Sequence, residues 1–307
     1  MSILEVENLS VSFKQYTDGF KEIDHKVISG LSVTLEAGEI LAVVGASGSG
    51  KSLLAHAILG ILPSNARISG SIKYKGEELT SARLAKLRGK ELALVPQSVN
   101  FLDPLMRVGS QVRTASNSGD VVSAQRKVFE RYHLGKEVES MYPFQLSGGM
   151  ARRTLLSTAM VSGAKVIIAD EPTPGLDPIV IKEALGNFRE FADRGCAVML
   201  ITHDIESALQ IADKIAVFYA GTTVEIASVK DFAGKGEAIR HPYTKALWRA
   251  LPQNEFIPIP GSQPHPRSLP SGCLFAPRCE IATPECAQAP PGMRELRDGM
   301  VRCIHAT

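Results

Sequence analysis

The chain has 307 residues, 44% apolar and 21% charged, with a formal net charge of +2, the balance of a folded globular protein larger than one average domain. That balance excludes disorder over the bulk of the chain and a general electrostatic footprint for nucleic acid, and no run reaches the roughly 18 uncharged apolar residues that cross a bilayer. The opening MSILEVENLS has neither a basic start nor an apolar core and does not read as a signal peptide. The expectation is a cytoplasmic protein that would meet a membrane only at its surface.

Residues 3–13 alternate enough for a strand, and residues 30–39 suggest a second strand and a turn. ILAVV, residues 40–44, is the short continuous apolar run of a strand covered on both faces. A glycine-rich loop follows, then SLLAHAILGIL, residues 52–62, whose apolar residues suit a buried helix. Between about 99 and 160 the β-type runs disappear, which predicts an inserted helical subdomain. Apolar runs return at 166–169, 198–201 and 215–219, separated by helical stretches at 181–193 and 206–212. Strands alternating with helices predict an α/β layered fold. After about 230 proline and glycine become frequent, and FIPIPGSQPHPRSLPSG reads as an extended linker. No repeat at solenoid periods and no coiled-coil heptad is present.

The strongest motif is GASGSGKS, Gly45, Ala46, Ser47, Gly48, Ser49, Gly50, Lys51 and Ser52, between a predicted strand and a predicted helix. This is the phosphate-loop pattern: glycines let backbone N–H groups curl around phosphates, and the helix N-terminus adds a favourable dipole. Lys51 would reach the β- and γ-phosphates of ATP, and the Ser52 hydroxyl would coordinate Mg²⁺. VIIAD followed by Glu171 supplies a second half. Asp170, at a strand end, can hold Mg²⁺ directly or through water, and Glu171 can orient or deprotonate the attacking water. Alone, two acids at a strand end could be solvated charges; beside a phosphate loop they read as part of a nucleoside triphosphatase.

LSGGM, formed by Leu146, Ser147, Gly148, Gly149 and Met150, follows Tyr142-Pro143 and precedes Arg152-Arg153. It resembles the LSGGQ signature of ABC ATPases, shortly before the Asp170 strand. The resemblance implies that this segment completes the ATP site of an opposing subunit, so that ATP is sandwiched between two cassettes. Gln97 in ALVPQ looks like the Q-loop glutamine, which senses Mg²⁺ near the membrane partner. His203 in LITHD looks like the switch histidine that contacts the γ-phosphate. PGLD, ending in Asp177, corresponds to the D-loop at the dimer interface, and Phe13 falls where the family places an aromatic on adenine, with Tyr16 the weaker candidate. Met150 replaces the commoner glutamine and PGLD replaces SALD-like forms; neither change removes a phosphate ligand.

Five cysteines are unevenly placed. Cys196, in GCAVMLITHD, reads as a buried inert thiol. Cys273, Cys279, Cys286 and Cys303 lie in the last 35 residues with five, six and sixteen residues between them. In a cytosolic chain such a cluster favours metal over disulfides, and four thiolates can take either tetrahedral Zn²⁺ or an iron–sulfur cluster. HPYTKALWRALP, IPIPG and LPSGCLFAPRC closely resemble the C-terminal extension of oligopeptide, dipeptide and nickel importer ATPases. That resemblance covers almost the whole chain and implies a [4Fe–4S] cluster with a structural role in the tail. GKSLLAHAILGILP leans towards the nickel- or metallophore-importing members.

The expected organisation is a P-loop ABC ATPase with an N-terminal antiparallel β region: residues 1–230 form the nucleotide-binding domain with its helical insertion, and residues 231–307 form the cysteine-rich extension. The implied partners are a second, distinct ATPase subunit, two transmembrane permease subunits and an extracytoplasmic solute-binding protein, with no nucleic acid. The implied place is the cytoplasmic face of the inner membrane. A soluble ABC protein acting on ribosomes or DNA is the alternative, but it would usually carry two cassettes or a long coiled-coil insertion. A non-hydrolysing regulatory module is opposed by the presence of Asp170, Glu171 and His203.

Overall fold

The computed structural model describes residues 2–16 and 22–307. Strand β1 (Ser2–Tyr16) is followed by β2 (Glu22–Glu36), which begins well before the segment expected from residue 30 and ends before residue 39. The early half of β2 is hard to read because Glu22, Asp24 and Lys26 are exposed and alternate with residues that are only half-buried; a strong inward set, Leu31, Val33 and Leu35, begins later. β3 (Ile40–Gly45) is buried at every position. Helix α1 (Lys51–Leu59) stops short of the apolar run to 62 because Gly60 adopts a left-handed φ of 61°. The Gly60 N–H then reaches the Ala57 carbonyl and the Ile61 N–H reaches that of His56, a pattern that closes a helix end.

β4 (Ala66–Tyr74), β5 (Glu77–Glu78), α2 (Ser81–Leu87) and β6 (Leu92–Val95) follow. The stretch after β6 carries α3 (Val108–Ala115), α4 (Val121–Arg131) and α5 (Gly148–Val161), with one short 3₁₀ segment before α3 and two between α4 and α5. Beyond it come β7 (Val166–Asp170), α6 (Pro178–Asp193), β8 (Ala197–Thr202), α7 (Ile205–Ile211), β9 (Lys214–Tyr219) and β10 (Thr222–Ser228). The chain ends with α8 (Pro242–Arg249), β11 (Arg294–Leu296) and β12 (Gly299–Val301).

Two compact units result: residues 35–40 with 79–202, and residues 2–34 with 41–78 and 203–307. In the first, β6, β7 and β8 run parallel, with Val166 opposite both Leu92 and Ala197. Every residue of β7 and β8 is buried, which is why both read as unbroken apolar runs rather than alternating ones. Leu102 and, on α5, Ala151 and Leu155 form a small core that also takes up Val99 and Leu146. Buried Asn187 of α6 donates to the Tyr132 hydroxyl at 3.0 Å, and burial pushes that phenol above its ordinary range.

In the second unit one sheet has the order β2-β1-β4-β5, with β1 and β4 antiparallel. The other unites β3, β9, β10, β12 and β11 in that order; β3 and β9 are parallel and the later pairs antiparallel. Residues 299–301 thus extend the edge of β10, bringing the end of the chain back to the same sheet. Nearby, Glu225 of β10 is fully buried and accepts from the backbone N–H groups of Arg240 and His241, each at 2.9 Å. The Arg240 guanidinium, itself 2% exposed as a residue, meets Asp231 at 2.8 Å and Glu225 at 3.5 Å and donates to the carbonyls of Leu296 and Arg297. A buried charge of this kind is tolerated only when its partners are complete. Arg302 works beside it, donating to the carbonyls of Thr223, Pro291 and Gly30.

Arg240→Ala would leave the Glu225 carboxylate buried without its cation, and should destabilise the protein by about 3–5 kcal/mol. Chemical denaturation of the full chain measures this directly; a loss below about 1 kcal/mol would mean that the pair behaves as a surface bridge.

Candidate functional site

The phosphate-loop segment lies in the second unit, between β3 and α1. At its start Gly45 has no room for a side chain: a Cβ there would sit 2.4 Å from the backbone oxygen of Phe218 on β9. Farther along, Gly48 and Gly50 take φ values of +76° and +96°, the left-handed conformation that successive backbone N–H groups need to point into one concavity. The Lys51 side chain is buried, and its ammonium donates to the carbonyls of Gly45 at 2.8 Å and Ala46 at 3.0 Å. The loop therefore closes around its own cation. Ser47 and Gly48 are exposed at its mouth, whereas Ser49 is buried with a hydroxyl that has no hydrogen-bond partner among the described residues. Ser52, in the first turn of α1, is half-buried. Left-handed glycines, a buried ammonium and a hydroxyl at the helix start fit a nucleotide's phosphates with Mg²⁺.

One neighbour holds the loop from behind. Gly221, in the turn between β9 and β10, donates to the Ser49 carbonyl at 3.1 Å and accepts from the Ser29 N–H at 2.9 Å. Its own Cβ position would fall 2.1 Å from the Val27 carbonyl oxygen, so only glycine passes here. Tyr243 of α8 is buried, and burial pushes its phenol pKa up. In the same unit, Phe13 is half-buried on β1 opposite Ala66, and His203 is exposed immediately beyond β8. The side chain of Tyr16 lies outside the described residues.

The first unit holds the other predicted residues. Asp170 closes β7 and is buried; Glu171 follows, also buried, with φ +47°. That left-handed backbone is rare for glutamate and costs energy. It is held by three bonds: the Glu171 N–H to the Ile201 carbonyl at 2.8 Å, Arg152 to the Glu171 carbonyl at 3.2 Å, and Thr202 Oγ1 to Glu171 Oε2 at 3.5 Å. Gln97 is exposed just past β6. The segment 146–150 begins α5: Leu146 is anchored on the small core, and Ser147 caps the helix by accepting from the Met150 N–H at 3.3 Å. Gly148 and Gly149 have nothing within 4 Å of where a Cβ would stand, so the first turn presents bare backbone. Asp177 caps α6, accepting from the N–H groups of Ile179 and Val180 at 3.1 Å.

All five cysteines are free thiols. Cys196 is partly buried, and burial pushes its thiol pKa up. In the tail, Cys273, Cys279, Cys286 and Cys303 line one small cavity together with His241 and Phe275. Among the described residues no three His, Cys, Asp or Glu side chains converge as a metal-ion site. Burial, the largest influence on the Cys273 and Cys279 thiols, pushes both pKa values up. The neighbouring His241 is driven down to about 3 by burial and is a neutral ring at ordinary pH.

Arg152, Thr202 and Gly221 are site residues that the sequence does not single out. Arg152 and Thr202 adjoin recognised motifs, and their nearness to Glu171 is a product of tertiary packing. Gly221 stands in an AGTT turn like many others.

Residues 28–174 match the family model described as ABC transporter, and residues 224–286 match that for the oligopeptide/dipeptide transporter C-terminal region. The oligopeptide transport ATP-binding protein OppD of Escherichia coli is 34% identical over 98% of this chain and 92% of that protein. Its namesake in Salmonella typhimurium is 36% identical over 94% and 89%. A putative peptide import ATP-binding protein of Brucella abortus is 34% identical over 98% and 94%. Among solved structures, a dimeric ATP-binding cassette in a post-hydrolysis state with ADP and Pi superposes with a TM-score of 0.64 at 22% identity, over 74% of this chain and 98% of that one. That likeness establishes the ABC ATPase fold.

Gly45→Ala should force β3 away from the Phe218 carbonyl and destabilise the chain by about 1–3 kcal/mol, with loss of nucleotide binding. Thermal unfolding together with a nucleotide titration checks both; an unchanged melting temperature would contradict the close approach.

Proposed function

The chain belongs to the ABC transporter family, as an ATP-hydrolysing subunit of the importer type with the oligopeptide/dipeptide C-terminal region, and from that premise we propose that it powers uptake of peptides. The names of its relatives support peptides over nickel or a metal chelate as the cargo. Residues 1–230 would act as the nucleotide-binding domain and residues 231–307 as its extension. Its partners would be a second, related ATPase subunit, two permease subunits and an external solute-binding protein. No helix among the described residues is long and apolar enough to cross a membrane; attachment would be peripheral, at the cytoplasmic face of the inner membrane, through those permeases.

The observation that carries the reading is the loop 45–52, with its left-handed glycines and buried ammonium. Lys51, released from the carbonyls of Gly45 and Ala46, would bind the β- and γ-phosphates while Phe13 stacks on adenine. Ser52, Gln97 and Asp170 would hold Mg²⁺, which supplies charge neutralisation on the phosphates. Glu171 would orient the attacking water and take its proton as the water oxygen bonds to the γ-phosphorus and the bond to the bridging oxygen of ADP breaks. His203 would bind the γ-phosphate. Leu146 to Met150 would complete the partner subunit's site, where the exposed first turn of α5 offers N–H groups to the facing nucleotide, and Asp177 would lie at that interface.

We infer a [4Fe–4S] cluster for Cys273, Cys279, Cys286 and Cys303, in preference to Zn²⁺. Supporting this are four thiols that line one cavity. Once bound, it would tie together four points of a tail too small to build a large core.

Glu171→Gln should cut ATP hydrolysis by the assembled complex by roughly 10²- to 10⁴-fold while ATP binding persists; an unchanged rate would remove Glu171 from the catalytic role. Anaerobic analysis of the purified chain should find roughly four iron and four acid-labile sulfide per chain. Zinc without sulfide would replace the cluster with a single ion.

A further inference from the structure

The main chain of Glu171 is pinned from two sides. Its N–H donates to the Ile201 carbonyl of β8 at 2.8 Å, and its own carbonyl accepts from Nη1 of the Arg152 guanidinium at 3.2 Å. Between those two bonds lies the left-handed φ of +47°, a conformation that glutamate keeps only where its surroundings impose it. The Thr202 hydroxyl reaches Glu171 Oε2 at 3.5 Å, the outer limit of a hydrogen bond. The direction of the carboxylate is therefore set first by the backbone that carries it. One brace on that backbone is an ordinary neighbouring strand; the other is a side chain.

Arg152 stands one turn into α5, four residues after Gly148 at the helix start. The next residue, Arg153, donates to the carbonyls of Gly149, Tyr132 and His133, so fastening the helix to the chain before it does not call on Arg152. Arg152 is half-buried, and among the described residues its guanidinium makes its one hydrogen bond to Glu171 and no ion pair. A Cβ added at Gly175 would stand 3.9 Å from Arg152 Nε. The guanidinium thus also reaches the turn before α6, where Gly175 takes a φ of +76°.

We propose that Arg152 is a positioning residue for hydrolysis. It holds the strained Glu171 backbone so that the carboxylate faces the attacking water, and it ties that carboxylate to the helix whose first turn holds residues 148–150. This rests on Glu171 as the group that orients the water. Loss of the guanidinium frees the Glu171 carbonyl, the peptide after it can rotate, and the carboxylate spends less time in the productive direction. ATP binding at residues 45–52 does not use Arg152.

The test is ATP hydrolysis by the assembled complex, with kcat and KM measured separately and rates taken per folded complex. Arg152→Ala should lower kcat roughly tenfold to a hundredfold, the range for one hydrogen bond from a charged donor, with KM for ATP within about twofold of the parent's. Arg152→Lys keeps a cation and most of the stem; it should fall by a smaller factor at a parental melting temperature, which separates misplacement from unfolding. In the Glu171→Gln background Arg152→Ala should have little further effect, because residues that act through one another are not additive. Parental kcat in Arg152→Ala beside a slow Glu171→Gln overturns the positioning role. An equal fold-loss from Arg152→Ala in both backgrounds overturns it as well, and so does a rise in KM alone. A parental rate in Glu171→Gln would instead discard Glu171 as the catalytic group, and the role of Arg152 with it.

Discussion

Between β3 and β9 the backbones come so close at Gly45 that a single added carbon would meet the carbonyl oxygen of Phe218. Much of the second unit follows from that approach. Because β3 ends flush against β9, the loop after it must turn at once, and left-handed glycines at 48 and 50 let it do so. Because β9 ends beside the loop, its turn can reach back, and Gly221 bridges Ser49 and Ser29 in one residue. Tyr219, next to Phe218, then starts the aromatic packing that connects to α8.

The tail is anchored by a different principle. Its apolar contribution is modest: Val301, Cys303 and Ala306 form a small core of their own, with Leu296 packed on it. Arginines do the fastening. Arg240, Arg278 and Arg302 each hold carbonyls from separate stretches of chain, and the fork geometry of guanidinium allows one side chain to satisfy several acceptors at once. Such a scheme ties a proline-rich segment down without asking it to form helices or strands, and it places the four cysteines around one cavity.

In the first unit the functional backbone is arranged by caps and strain. Ser147 and Asp177 use their side chains to cap α5 and α6, so both segments owe their shape to local bonds readable in the sequence as Ser and Asp before helical runs. Glu171 is the opposite case. Its left-handed backbone goes against its own preference and persists because Ile201, Arg152 and Thr202 hold it.

Continuous apolar runs at 40–44, 166–169, 198–201 and 215–219 revealed the buried strands, because a strand covered on both faces cannot hide its composition. The phosphate loop was legible because glycine spacing is itself the backbone geometry. The first half of β2 was not, since its exposed charges and half-buried neighbours erase the alternation. Helix α1 was read three residues too long, because apolarity at 60–62 outweighed the left-handed preference of Gly60. The sequence by itself therefore determined the motor's family, the loop and the order of its motifs, all of which are encoded by local residue type and spacing. Tertiary structure alone decided that Gly221 meets Ser49, that Arg152 and Thr202 brace Glu171, and that the cysteines share a cavity. The hydrogen-bonded pairs among them lie 19 to 172 positions apart, and no local preference specifies which distant surface a residue will finally pack against.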